Sequence, residues 1–192
     1  MGVGPRRHLG DDPGDPAHCL PGGVLASGQG PLHRRVGVEG RPVAGYSKRT
    51  LVEKLGIRPE DRISLLAVPA SVQPLLAQLP PGVKVARRVQ AGRDFVLLFV
   101  RRRAELERRL GPVVDALEVD GSLWVSWPKK TSGLESDLSF DQVQAAGLSA
   151  GLVDVKICAV DEQWSGLRFV YRRDDREAVR RRRAAAGRVR NP

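Results

Sequence analysis

The chain has 192 residues, 28% of them charged, and a net charge of +10, a length that suits one domain or one domain with tails. No stretch approaches the roughly 20 apolar residues of a membrane-spanning helix, and Arg6 and Arg7 are followed by no apolar run of the signal-peptide kind. Two cysteines, Cys19 and Cys158, exclude a disulfide framework, so a cytoplasmic protein is expected.

Composition changes along the chain. Residues 1–44 hold ten of the 21 Gly, six of the 14 Pro and all three His (His8, His18, His33). They contain no periodic apolar run, so they cannot bury enough surface to offset the entropy of ordering. A disordered Gly/Pro-rich arm is expected there. His18, Cys19 and His33 lie on that arm without a scaffold, so no metal site is assigned. Residues 173–192 form a basic Arg-rich tail, read as a solvated extension of the last strand. Its alternative role is non-specific nucleic-acid association through Arg180 to Arg190 together with the arginines at the sheet edge, since a basic tail binds polyanions by counterion release.

Between these ends, residues 45–172 alternate strand and helix patterns. Tyr46 to Gly56 reads as a short helix with Ser47 as its N-cap, Leu51 and Leu55 on one face and Gly56 as its stop. Ile63 to Val68 is a strand ended by Pro69. Ser71 caps a following helix through Leu75, Leu76 and Leu79. Pro80, Pro81 and Gly82 make a turn, and Val83 to Arg87 is a second strand. Asp94 to Val100 is apolar almost throughout, the mark of a strand buried on both faces. Residues 102–117 give an amphipathic helix with Leu106, Leu110, Val113, Val114 and Leu117 inward, interrupted by Pro112, which kinks or shortens it. Asp120 and Gly121 read as a turn, then Ser122 to Trp127 as a strand closed by Pro128. Trp124 and Trp127 are three apart and point to opposite faces. A polar loop from Lys129 to Ser139 leads to a helix from Phe140 to Ala150. Leu152 to Val160 and Gly166 to Arg172 are the last strands, joined through Asp161 to Ser165 as a hairpin.

Alternating strands and helices imply parallel strands with right-handed crossovers. The last two strands lack a helix between them and should be antiparallel. The expected fold is therefore α/β and Rossmann-like: about six strands, mostly parallel, with a C-terminal antiparallel hairpin and flanking helices. This is the late half of a class I methyltransferase sheet with one strand–helix unit missing, because Arg87 leads almost directly to Asp94.

Several segments carry a further likeness. Tyr46-Ser47, Lys54-Leu-Gly-Ile57, Phe95 to Leu110, Leu123-Trp-Val-Ser-Trp-Pro-Lys-Lys-Thr-Ser-Gly133, Asp137-Leu138, Val155-Lys-Ile-Cys-Ala-Val-Asp161 and Trp164-Ser-Gly-Leu-Arg-Phe169 resemble a bacterial family catalogued as domain of unknown function 3052. The resemblance implies a methyltransferase-like fold and no particular activity. Lys48-Arg49 departs from it, where a Gly and a small residue are expected.

The residues themselves argue against the usual methyltransferase cofactor. A Gly-rich turn after the first strand lets the backbone approach the ligand. Here that turn is Val68-Pro-Ala-Ser-Val-Gln73, without a glycine. An acid at the end of the second strand would take the ribose hydroxyls, but Arg87 and Arg88 stand there. No cofactor is assigned, and S-adenosylmethionine binding in the usual manner is not expected. The domain has no histidine, which excludes Ser-His-Asp and Cys-His arrangements. Cys158 is read as a small buried strand residue.

In open parallel sheets, ligands bind outside the carboxyl ends of the strands. That edge collects Ser71, Arg87, Arg88, Arg101 to Arg103, Lys129 to Ser132, and the hairpin residues Asp161 to Ser165. The candidate ligand residues are Lys129, Lys130, Trp164, Ser165, Asp161 and Arg101. They form a basic rim with one indole, suited to an anionic small molecule such as a nucleotide or a phosphorylated metabolite. Lys129 and Lys130 are two of only six lysines among 32 basic residues, which marks them as placed. The structural alternative is that Lys129 and Lys130 are ordinary loop charges, and that Trp164 covers the core edge. A non-catalytic binding or regulatory module is the leading expectation. The alternative is an enzyme, an atypical transferase, using Lys129 or Lys130 as general acid or base. The sequence leaves catalytic residues and oligomeric state unassigned.

Overall fold

The computed structural model describes residues 49–189. The Gly/Pro-rich arm, Tyr46, Ser47 and the last three residues lie outside the described residues. No helix among the described residues is long and apolar enough to cross a membrane.

The first helix, α1, spans Leu51–Leu55. It starts at Thr50 rather than Ser47 because Thr50 and Glu53 form a capping box. The Glu53 amide donates to Thr50 Oγ1 at 3.3 Å, and the Thr50 amide donates to Glu53 Oε2 at 2.7 Å. Gly56 ends the helix with a φ of 77°. Strand β1 is Arg62–Leu66, β2 is Lys84–Ala86 and β3 is Arg93–Phe99. The helix expected after Ser71 is only a 3₁₀ turn, Gln73–Leu76, and its N-cap position is Val72. Ser71 does not cap it; its hydroxyl donates to Asp161 instead, at 3.3 Å.

Helix α2 runs Arg103–Ala116 and continues through Pro112. Pro112 and Arg108 lie on the exposed side, so the Arg108 carbonyl that loses its helical donor faces water. Strand β4 is Leu117–Pro128. The turn expected at Asp120 and Gly121 lies instead inside this strand, at an irregularity: Arg93 pairs with Leu117, but Phe95 pairs with Ser122. A side chain on Gly121 would press on the carbonyl oxygens of Asp94, Arg93 and Glu118, which accounts for glycine at a bulge of this kind. Helix α3 is Phe140–Ser149, with a Ser139–Gln142 capping box. Strands β5, Leu152–Ala159, and β6, Trp164–Tyr171, form the final hairpin. The hairpin turn is therefore shorter than expected, and Trp164 and Ser165 belong to β6.

The six strands lie in the order β2-β1-β3-β4-β6-β5. β1, β2, β3 and β4 are mutually parallel, and β6 inserts antiparallel between β4 and β5. This is the mixed α/β, Rossmann-like sheet expected from the sequence. The apolar run of β3 divides alternately between two cores. Val96 and Leu98 pack with Leu106, Leu110, Trp127 and Phe169 beneath α2 and α3. Phe95, Leu97 and Phe99 pack with Leu55, Ile63, Trp124 and Trp164 beneath α1. Trp124 and Trp127 accordingly lie on opposite faces, and Trp124 Nε1 donates to the Leu55 carbonyl at 3.0 Å.

The arginine-rich end is not an extension of β6. After a 3₁₀ turn at Arg173–Asp175 it forms α4, Arg176–Val189. Arg176 and Arg180 pair with Asp120 at 3.1 and 2.5 Å. Arg183 donates to the carbonyls of Leu117 and Val114. Three of the arginines are thus turned toward the domain.

Candidate functional site

At the carboxyl edge, the chain leaves β1 through Ala67, which has a φ of 55°. This left-handed conformation suits glycine and costs an alanine roughly 1–2 kcal/mol. The turn therefore keeps a glycine-like backbone without a glycine. Two cavities flank it. One, about 500 Å³, is lined by Pro69, Ser71, Phe99, Arg101, Glu105 and Trp164. The other, about 600 Å³, is lined by Leu65, Val68, Gln73, Leu79 and Arg87. Ala67 borders both.

The candidate residues fall into different places. Asp161 shapes the hairpin: its Oδ1 accepts the amides of Gln163 and Trp164 at 2.8 and 2.7 Å, while Oδ2 accepts the Ser71 hydroxyl. Lys129 is a strut. Its Nζ donates to the Asp161 carbonyl at 2.7 Å, and its amide donates to the Gln163 carbonyl at 2.8 Å. Lys130 is exposed on a 3₁₀ turn, Lys130–Ser132, and does not border the 500 Å³ cleft. Ser165 sits within β6, paired with Trp127 and Ala159. Arg101 and Trp164 do border the cleft.

Trp164 is only 4% exposed. Its ring meets Phe99 edge-on, with centroids 5.0 Å apart and planes at 80°, so it is a wall of the cleft rather than an open stacking platform. Its Nε1 is buried with no acceptor among the described residues, and an unanswered buried donor is a costly arrangement. Ser126 Oγ, on neighbouring β4, is likewise without a partner.

The three arginines after β3 are not equivalent. Arg102 pairs with Glu135 at 2.6 Å and Arg103 with Glu107 at 2.7 Å. The Arg101 guanidinium has no carboxylate partner among the described residues. Glu105 lies beside it but accepts the Arg101 amide at 3.4 Å and pairs with Arg109 at 3.2 Å. Arg87, at the second cavity, is exposed and also has no carboxylate partner among the described residues. Arg101 and Arg87 thus each border one of the two cavities beside Ala67 with no carboxylate partner among the described residues. Among the described residues no cluster of three metal-ligating side chains occurs. Burial pushes the Cys158 thiol above its ordinary pKa, which Lys156 and Lys54 only partly offset. The thiol is the less nucleophilic for it.

The sequence assigned no role to Glu105, Phe99 or Ala67. Glu105 was detectable as an acid in the first turn of α2, four residues from Arg101. Nothing in the sequence marks Ala67 as left-handed.

No protein-family model matches this sequence, and no curated protein matches it significantly. Several solved structures are similar. A magnesium protoporphyrin IX methyltransferase from Synechocystis PCC 6803 with bound SAH is 11% identical. The match covers 64% of this chain and 78% of that one, with a TM-score of 0.44. A SAM-dependent methyltransferase from Aquifex aeolicus is 11% identical over 62% of this chain and 86% of its own, with a TM-score of 0.46. LepI in complex with SAH and a substrate analogue is 16% identical over 64% of this chain, at a TM-score of 0.40; the chain spans 39% of its length. The fold assignment itself rests on the strand order and directions.

Proposed function

We propose that this chain is a ligand-binding module on a methyltransferase-like sheet, and that its carboxyl edge seats an anionic small molecule, a nucleotide or a phosphorylated metabolite. The observation that carries the proposal is the unpaired Arg101 guanidinium beside a cleft floored by Phe99, Val100 and Trp164. A free cation over apolar surface suits a ligand with an anionic group and an apolar or ring portion. Arg87 offers a second contact for an elongated ligand lying across Ala67. Lys129 and Asp161 support the site by fixing the hairpin that carries Trp164. The likeness to domain of unknown function 3052 belongs to the same proposal. Its two most specific segments, Trp127-Pro-Lys-Lys130 and Trp164-Ser-Gly-Leu-Arg-Phe169, pair directly through Pro128 and Trp164. A cytoplasmic setting remains part of this proposal.

Some of the similar structures hold SAM or SAH. Here the turn after β1 has no glycine, and Arg87 replaces the ribose acid, so the cofactor pose of those proteins lacks its usual contacts. Isothermal titration of the full chain with ADP, ATP, SAM and SAH separates the alternatives. Binding of the phosphorylated ligands, weakened roughly 10- to 100-fold in Arg101→Met as expected for one charge-assisted contact, supports the proposal. Failure of every phosphorylated ligand to bind, or binding indifferent to Arg101→Met, refutes it.

A further inference from the structure

The opposite, amino edge of the sheet holds a separate polar cleft of about 460 Å³. Arg168 enters it from β6. Leu167, Phe169 and Tyr171 face the α2–α3 core, so Arg168 shares the other face with Trp164. Its Nε is buried and donates to nothing among the described residues. Arg58, just beyond the end of α1, borders the same cleft. Burial first, and then repulsion from Arg58, lowers the pKa of the Arg168 guanidinium.

The acids around this cleft are already engaged. Arg62 grips Asp94 through Nε at 3.0 Å and Nη2 at 3.1 Å, and reaches Glu118 at 3.4 Å. Asp120 bonds Arg176 and Arg180 of α4. Asp61 accepts the Arg58 amide at 2.8 Å. No carboxylate among the described residues forms an ion pair with the side chain of Arg58 or Arg168. Two guanidinium groups therefore border one cleft without an ion-pair partner among the described residues, and a partly buried cation without a partner is unfavourable.

We propose that the amino-edge cleft is a second binding site, in which Arg58 and Arg168 together hold the oxyanion group of a small molecule, a phosphate or a carboxylate. Guanidinium forks match two oxygens of either group. The surrounding Asp61, Asp94 and Glu118 disfavour a long polyanion, so the ligand carries one or two negative charges. This site is independent of the carboxyl-edge cleft.

The test follows the arginine Nε–H signals of the ¹⁵N-labelled full chain at constant ionic strength. Inorganic phosphate and acetate are titrated separately. A saturable shift of the Arg168 signal with phosphate alone identifies a phosphoryl ligand, and with acetate alone a carboxylate. A shift with both identifies the shared oxyanion chemistry. The exposed Arg58→Ala, read at the Arg168 signal, and Arg168→Met, read at the Arg58 signal, should each weaken the bound anion by about 10-fold or more, while Arg101→Met leaves it unchanged. Arg168→Met should not lower the melting temperature, because it removes an unpaired, partly buried charge. If the Arg168 signal moves with neither anion, or if Arg58→Ala binds as the wild type does, the proposal is overturned.

Discussion

Removing the side chain of Arg183 should loosen α4 and leave the sheet folded. One guanidinium makes most of the buried polar contact between them. It donates to the Leu117 carbonyl at 2.6 Å, and to the Val114 carbonyl and the Tyr171 hydroxyl at 3.1 Å each. It also sits 5.6 Å from the centroid of the Tyr171 ring. The Val114 carbonyl keeps the Tyr171 hydroxyl as a donor, at 3.0 Å, when Arg183 is gone, so the three bonds do not add in full. With charged hydrogen bonds contributing about 1.5–3 kcal/mol each, shared acceptors and partial exposure bring Arg183→Ala to about 2–3 kcal/mol. What remains is the Arg176 bond to the Tyr171 carbonyl at 3.3 Å, the packing of Val179 on the core, and the Asp120 pairs, which are surface contacts of about 0–1 kcal/mol. Hydrogen exchange in α4 should therefore accelerate roughly 30- to 150-fold, with β3 and β4 unchanged. Tyr171 gives a second readout. Burial raises its pKa above the ordinary value of 10.0, and Arg183 pulls it back. The stability linked to Tyr171 is present below about pH 10 and is lost as pH rises through the higher folded value. Arg183→Ala should move that value further up. Unchanged exchange in α4 would refute the reasoning, and so would a slowdown of folding throughout the domain.

Three further outcomes are expected. A methyl group at position 147 would overlap the ring of Phe169, which is fully buried. Gly147→Ala should thus lower the denaturation midpoint, because overpacking of about 1–3 kcal/mol outweighs about 1 kcal/mol of helix propensity; an unchanged midpoint would mean α3 slides freely on β6. Ala67→Gly should stay within about 0.5 kcal/mol of wild type, as relief of the left-handed cost offsets added unfolded-state entropy, whereas Ala67→Val should lose about 1–2 kcal/mol; equal stabilities in urea would show that the turn is not strained. The Arg62 guanidinium holds the Asp94 carboxyl below its usual range. That contribution is present above about pH 4 and lost as pH falls through the lower folded value, so Asp94→Asn should flatten acid unfolding, and a wild-type acid profile in the variant would contradict this.

The sheet was legible where side-chain pattern alone decides structure. The β3 run is apolar on both faces because both faces are covered, and the missing helix between β5 and β6 forces their antiparallel return. Boundaries set by distant contacts were not legible. Asp120 and Gly121 have the composition of a turn, yet β3 holds them in a strand and α4 supplies arginines to Asp120 from 56 and 60 residues away. Arg183 of α4 looks solvated in sequence because two of its acceptors are backbone carbonyls, which every residue possesses. The site divides in the same way. Strand ends locate Arg101, Lys129, Asp161 and Trp164 at one edge. Only the structure shows that Lys129 is tied to a carbonyl, that Arg102 and Arg103 have glutamate partners and that Arg101 has none among the described residues. Arg168 was part of a specific motif without a role, and its missing partner appears only when every acid near it is assigned.

The indole Nε1–H resonance of Trp164 tests the central claim most directly, because its ring lines the cleft beside Arg101 and this buried donor has no acceptor among the described residues. Titration of ADP into the full chain should shift it saturably and leave the Trp124 resonance, bonded to the Leu55 carbonyl, in place. Arg101→Met should raise the ADP concentration needed for the shift roughly 10- to 100-fold, and SAM should not produce it. A shift with SAM or SAH but none with ADP would contradict the account, and would mean that the β1 turn accepts the usual cofactor without its glycine.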